Sequence, residues 1–268
     1  MAIRVGTQPI LSFKVGGAIA PSWTPLDFTD IKYWWTADAG VTESGGDVSS
    51  WEDQINGYTY AQTSSANQPT YTTSAELNNQ NVILFNGSTD YMWINSAPAS
   101  LAGSDMTMLF VYSIPSTPVS TNGIFFGAVI IAGVVGRTWV DGVGSITRWV
   151  DSFPNTTAVL RTLAPINSGS GHAIKIRYQA SNGATFSAYD TITESAGFAS
   201  GTTNVNFAAD AVFCIGATLN SRSNPTVFSS RYSNYAIAEA VVIYNTPTAQ
   251  EMTDWETYVN NKYGTIIV

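Results

Sequence analysis

The stretch VILFNGSTDYMWI, Val82 to Ile94, decides how the fold is read. Two apolar runs, Val82–Phe85 and Tyr91–Ile94, flank the small polar residues Asn86-Gly87-Ser88-Thr89-Asp90. The runs are made of β-branched, aromatic and other apolar residues that suit a pleated, half-buried surface. The polar centre is open to three readings: a glycosylation sequon at Asn86, a metal loop, or a turn. As a turn it is well equipped, since Asn86-Gly87 tolerates positive φ and Asp90 is a local acceptor for backbone N–H groups. The expectation is a hairpin, with a strand on either side.

Outward from this segment the same grammar repeats. Short runs rich in Val, Ile, Thr, Tyr, Phe and Trp, separated by Gly, Asn, Ser and Pro, occur at Met106–Ile114, Gly123–Ile131, Arg137–Val140, Ile146–Trp149, Ala173–Gln179, Thr185–Thr191, Ala211–Ala217 and Tyr235–Tyr244. Within HAIKIRYQA, Ile174, Ile176 and Tyr178 fall on one face and Lys175 and Arg177 on the other, the pattern of a strand with one wet side. Glu239 stands inside the apolar run AIAEAVVIY and is expected at an outward position. Many strands, regular turn signals and no alternation with helices predict an all-β fold, a two-sheet antiparallel jelly-roll sandwich. One helix is expected, over TAQEMTDWETYVNNKYG. Thr248 and Glu251 form a capping box, and Met252, Trp255 and Val259 make one apolar stripe. Lys262 lies in its last turn and Gly264 stops it. This helix is expected to cover one side of the sandwich.

Residues 1–26 are Gly- and Pro-rich without a period and read as an N-terminal docking arm, leaving 27–268 as the jelly-roll domain. Gln8, Pro9, Ser12 and Lys14 break up the apolar character a secretory leader needs, so no signal peptide is expected. The longest apolar run, Gly123 to Gly136, falls short of the ~20 residues of a membrane span, so no membrane is expected as a partner.

Composition narrows the function classes. The chain of 268 residues is long enough for one large β domain with a real core. Charged residues are only 11% of it, where about 25% is usual, so Ser, Thr, Asn and Gln coat the surface. A net charge of −8 with only 11 scattered Lys and Arg excludes nucleic acid as a direct partner, because phosphate contacts require a basic patch. The single cysteine, Cys214, forms no intrachain disulfide and reads as a core filler. With one histidine, His172, there is neither a Ser-His-Asp set nor a transition-metal set.

Two stretches carry a family resemblance. The first combines Trp34-Trp35 with Asp38-Ala39, Val48-Ser49-Ser50-Trp51-Glu52-Asp53, Ala61-Gln62 with Gln68-Pro69, and Phe85, Gly87 and Asp90-Tyr91-Met92. The second is the closing strand and helix, Ile237 to Gly264. Together they resemble the concanavalin A-like (laminin-G-like) jelly-roll modules found in bacteriophage structural proteins and bacterial surface proteins. The chain departs from that pattern where Gln54-Ile55-Asn56-Gly57 replaces a GNGN turn, and between about Ser113 and Ala209 only the strand rhythm matches. The resemblance implies glycan binding, adhesion or particle decoration.

Candidate chemistry is sparse. Glycoside hydrolysis needs two carboxylates roughly 5–9 Å apart, which a strand supplies at i, i+2 or i+4. No such string is present, and the adjacent Glu52 and Asp53 point to opposite faces of a strand. Calcium takes six to eight oxygens, and the candidates beside the family-like loops are Asp38, Asp53, Asn86 and Asp90, which serve equally as turn and cap residues. Carbohydrate platforms are sought at Trp139 and Trp149, which flank a DGVGS turn, and at Tyr58 and Tyr60, which follow Asn56-Gly57. The sequons at Asn86 and Asn155 are expected to stay unmodified. These features predict a non-enzymatic structural protein of a phage virion, a head decoration, fibre or tail component. It would need no cofactor, with calcium left open. It would be made in the host cytoplasm and displayed on the virion surface. The arm would hold capsid or tail proteins, and a lectin-like face would bind host or environmental glycans. A homo-oligomer and a particle-bound monomer both fit. The rival readings are a cell-surface carbohydrate-binding adhesin and a glycan depolymerase.

Overall fold

The computed structural model describes residues 23–94, 106–114, 123–130, 134–143, 146–152, 159–161, 169–179, 185–190, 212–219, 227–232 and 234–266, and across 123–161, 174–190 and 227–231 it describes the backbone alone. The expected docking arm therefore lies outside the described residues up to residue 22.

The described strands, in chain order, are β1 (Ile31–Thr36), β2 (Val41–Ser44), β3 (Asp47–Glu52), β4 (Thr59–Ala61), β5 (Thr70–Ser74), β6 (Gln80–Asn86), β7 (Met92–Ile94), β8 (Met106–Ile114), β9 (Gly123–Ile130), β10 (Val134–Val143), β11 (Ile146–Ser152), β12 (Val159–Arg161), β13 (Ser170–Gln179), β14 (Thr185–Asp190), β15 (Val212–Ile215), β16 (Ala217–Leu219), β17 (Val227–Tyr232) and β18 (Asn234–Tyr244). The helix α1 (Ala249–Tyr263) follows. Strand order runs β12-β11-β10-β9-β15-β7-β4-β3, passes through one Asp47–Thr70 bridge, and continues β5-β6-β18-β8-β13-β14. β1 pairs with β18, β2 with β3, and β16 and β17 form a separate pair.

These two runs of strands face each other across a shared core. Val48, Trp51, Tyr60, Met92, Ile94, Phe213 and Ile215 from the first run pack with Ile83, Phe85, Met108, Phe110, Tyr112, Tyr235, Ile237 and Val242 from the second. Tyr33 and Trp35 of β1 join them. The fold is thus the expected all-β sandwich. Among the described residues no helix is long and apolar enough to cross a membrane.

The Val82–Ile94 stretch corrects one expectation. It does not close a hairpin: β6 is flanked by β5 and β18, and β7 by β4 and β15. Ile83 and Phe85 enter the core from one sheet, Met92 and Ile94 from the other, so the polar segment is an arch between sheets. Its turn chemistry is as read. Gly87 has φ +75°, and Asn86 Oδ1 accepts from Ser88 N at 2.8 Å and Thr89 N at 2.9 Å. Asp90 accepts from Asn86 N at 3.0 Å and from Asn86 Nδ2 at 2.7 Å.

The outer face of the β6-β18-β8 sheet is covered by α1, whose Trp255, Val259 and Tyr263 pack on Leu77, Val82, Leu109, Val111, Val241 and Ile243. The capping box is present: Glu251 N donates to Thr248 Oγ1 at 3.1 Å, and Glu251 Oε2 accepts from Thr248 N at 2.7 Å. Gly264 ends the helix at φ +84°. Glu239 is a second correction. It points away from the inter-sheet core, but α1 lies over it and it is 0% exposed. A register shift between Ile237 and Glu239 interrupts the β18–β8 ladder next to it. Its Oε1 accepts hydrogen bonds from Tyr258 Oη, from Lys262 Nζ at 2.6 Å and from Tyr263 Oη at 2.7 Å. Lys262 reaches on to Asp38 at 2.8 Å.

Removing one partner of a buried pair leaves the other charge uncompensated. Lys262→Met is expected to cost about 2–4 kcal/mol in urea unfolding, and adding Glu239→Leu to it should restore most of that loss. A Lys262→Met variant as stable as the parent would show that the pair carries no net stabilisation.

Candidate functional site

At the N-terminal end of α1 a cleft of about 370 Å³ is lined by Trp23, Asp27, Thr29, Thr248, Gln250, Glu251 and Asp254. The chain builds it from two capped turns. Thr24-Pro25-Leu26-Asp27 forms a single 3-10 turn, with Pro25 pre-set for the first helical position. Asp27 Oδ2 accepts from Thr24 N at 2.7 Å. Trp23, just before this turn, sits edge-on against Phe28 with centroids 4.9 Å apart, and 5.9 Å from Tyr258 of α1. Phe28 is buried, so the half-buried indole is held at the rim.

Glu251 stitches the two turns together. Its Oε2 accepts from Thr248 N and Thr248 Oγ1, and its Oε1 accepts from Thr29 N at 2.8 Å. Partial desolvation pushes this carboxyl upward, but the hydrogen bonds from Thr29 and Thr248 outweigh it and bring its pKa to about 2. Gln250 Nε2 donates to Asp254 Oδ1 at 3.0 Å, which orients a carboxylate one turn further along α1. Asp27 Oδ1 and Asp254 Oδ2 keep no hydrogen-bond donor among the described residues. The cleft therefore combines an aromatic surface, hydroxyls, an amide and carboxylates. Such a set receives the apolar face of a sugar on the ring and its hydroxyls on the planar polar groups.

The residues singled out from sequence lie elsewhere. Tyr60 is no platform: it is 1% exposed and wedged between Trp35 at 5.1 Å and Trp51 at 6.2 Å. Tyr58 packs T-shaped on Tyr33 at 5.4 Å and is half-buried against the core. Both follow a turn, but the strand they lead into faces the sandwich interior. Trp139 stands opposite Val150 and Trp149 opposite Val140 in the β10–β11 ladder, and their side chains lie outside the described residues. So do the side chain of His172 and the whole of Asn155.

The calcium candidates are committed to protein donors. Asp53 is buried and accepts from Trp34 N at 2.7 Å and Asn56 N at 2.6 Å, tying its turn to β1. Burial raises the Asp53 pKa, against the lowering by those N–H groups. Burial likewise raises that of Asp90, whose oxygens close the Asn86 arch. Asp38 pairs with Lys262 and accepts from Asn81 Nδ2 at 3.1 Å. The structure brings Asn86 and Asp90 together, and among the described residues no group of three or more His, Cys, Asp or Glu is placed to hold a metal ion. Cys214 is fully buried beneath Tyr91, Trp93 and Tyr232, and its Sγ contacts the Ala217 carbonyl at 2.9 Å.

Sequence reasoning passed over Trp23, Asp27, Gln250 and Asp254. The signal was present in Thr24-Pro25-Leu26-Asp27, a capping box with proline at the first helical position, which marks an ordered turn inside the supposed arm.

No protein-family model and no curated protein sequence matches the chain. Solved structures do. The chain is similar to Trypanosoma rangeli sialidase in complex with 2,3-difluorosialic acid, a covalent intermediate, at TM-score 0.53 and 12% identity over 94% of this chain and 35% of that one. It is similar to a GH54 α-L-arabinofuranosidase soaked with a cyclic sulfate inhibitor, at TM-score 0.52 and 12% identity over 83% of this chain and 52% of that one. An arabinofuranosidase complexed with arabinofuranosyl-alpha-1,2-xylobiose follows at TM-score 0.51 and 11% identity, over 82% and 51%. The chain thus spans about a third to a half of these proteins.

At such identities the likeness shows a shared β-sandwich fold alone, and these structures are of a sialidase and of arabinofuranosidases. They overturn the expectation of a non-enzymatic phage head or tail protein. The physical reason lies in the motif residues themselves. Asp38, Asp53, Trp51 and Asp90 are spent on bracing strands and turns, so the resemblance transmits architecture and says nothing of attachment to a particle.

Glu251→Gln is expected to lower stability at neutral pH by about 1 kcal/mol, the scale of a lost cap. Because the folded pKa is depressed, the carboxylate's contribution is complete above about pH 4.5 and disappears as pH falls through about 2. Thermal melts of parent and variant should converge over that window; a constant gap would contradict the assignment.

Proposed function

We propose that this chain is the glycan-recognising β-sandwich of a glycan-processing protein, with the Trp23 cleft as its sugar site. The observation that carries the reading is the half-buried indole at the rim of a ligand-sized cleft whose other walls are hydroxyl, amide and carboxylate groups. The fold shared with sialidase and arabinofuranosidase structures supports it, as does the concanavalin A-like resemblance of the sequence. A sandwich gives such a site rigid walls: Phe28 and Tyr258 fix the ring, and Glu251 locks the two turns that carry the polar groups.

A second reading concerns turnover. Asp27 and Asp254 line the same cleft, and paired carboxylates are what glycoside hydrolysis requires. Glu251 is unsuited to the acid role, since both its oxygens accept hydrogen bonds and its carboxyl stays ionised to about pH 2.

Calorimetric titration with a panel of neutral arabino-, xylo-, galacto- and gluco-oligosaccharides tests the first reading. Trp23→Ala should weaken the best binder at least tenfold, whereas Trp93→Ala should leave it within about twofold. Equal binding by parent and Trp23→Ala would refute the site. Reducing-end assays on the same mixtures test the second, with release abolished in Asp254→Asn.

A further inference from the structure

We infer that the Trp23 cleft selects a sugar carrying a protonated amino group and rejects sialic and uronic acids. This rests on the glycan-recognition reading above and adds the charge class of the ligand. The carboxylates alone do not define a site. What makes them one is the cavity of about 370 Å³ they line together with an indole. Its volume is within the usual range of small-molecule sites, about 300–1,000 Å³.

The charge distribution is one-sided. Among the described residues that line it three are acidic, Asp27, Glu251 and Asp254, and none is Lys, Arg or His. Asp27 Oδ1 and Asp254 Oδ2 are acceptors without a donor among the described residues, and an ammonium group brings three donors and no acceptor. The indole face attracts a cation through its quadrupole, at Trp more strongly than at Tyr or Phe.

The two features that would favour an anion are already used. A helix N-terminus attracts negative charge, but at α1 the Glu251 carboxylate fills that role, taking Thr248 N and Thr29 N, while Met252 N is paired with the Thr248 carbonyl. The two cations whose side chains are described, Lys262 and Lys32, are engaged elsewhere. Lys262 is held by Glu239 and Asp38, eleven residues from Glu251 along α1, roughly 16 Å at the helical rise. Lys32 lies over the Tyr244 ring, 5.0 Å from its centroid. A carboxylated sugar entering this cleft would meet three like charges and, among the described residues, no counter-ion, whereas an amino sugar meets a matched set.

The test uses the full chain and four probes at pH 5.5 and low salt. They are a glucosamine trisaccharide, its N-acetylated form, sialyllactose and trilysine. The glucosamine trisaccharide should bind at least tenfold more tightly than the acetylated form, with sialyllactose the weakest sugar and trilysine no better than the acetylated form. Asp254→Asn should reduce the preference for the amine over the acetylated form at least threefold, and 0.5 M salt should reduce it likewise in the parent. Equal or tighter binding of acetylated or sialylated sugar overturns the charge selection and leaves the glycan reading standing. Trilysine binding as tightly as the amino sugar also overturns it, since bulk attraction to a chain of net charge −8 would then suffice. No binding of any sugar by parent protein overturns both.

Discussion

The hold of α1 on the sheet is the constraint on which the rest depends. The outer face of β18 is apolar except at Glu239, and a lone buried carboxylate there would cost several kcal/mol. Helix α1 answers it with three donors on one oxygen, from Tyr258, Lys262 and Tyr263, all within its C-terminal half. Burial and the Glu239 charge raise the pKa of both tyrosines, so they remain hydrogen-bond donors throughout the ordinary pH range. Burial lowers the Lys262 pKa, but Glu239 and Asp38 outweigh it, so the lysine remains charged. These contacts fix where the helix lies, and hence where its N-terminal turn lies beside Trp23, Asp27 and Thr29.

The same hold explains the family-like sequence at the two ends of the chain. Lys262 links Glu239 of β18 to Asp38, which follows β1, and Glu251 links α1 to Thr29, which precedes β1. The opening aromatic strand and the closing strand and helix are one structural unit, with β1 laddered on β18 from Ile31–Ile243 to Thr36–Glu239. A motif shared across such a unit reports how it is braced. That is why it pointed correctly to a sandwich and wrongly to a virion.

Legibility followed how local each determinant is. The helix was readable in full, because cap, stripe, terminal lysine and stop glycine all lie within 248–264. The strand Met106–Ile114 matched its apolar run. β2 and β5, VTES and TYTTS, were passed over because they are short, polar and largely uncovered, and owe their pairing to neighbours. The Asn86–Asp90 turn was readable, but whether it joins paired strands or crosses between sheets is decided by β4, β5, β15 and β18. Likewise the burial of Glu239 depends on residues 19 to 24 positions later, and the cleft on a contact between residues 222 positions apart. Residue type alone placed Tyr60 among platforms, though an aromatic core needed it.

The most direct test of the sugar site is to watch the indole N–H resonances of the 8 tryptophans while the best-binding oligosaccharide is titrated in. The Trp23 signal should shift in a saturable way, with those of Trp51, Trp93 and Trp255 unmoved. Saturation with the Trp23 resonance unchanged, or with another indole responding in its place, would contradict the account.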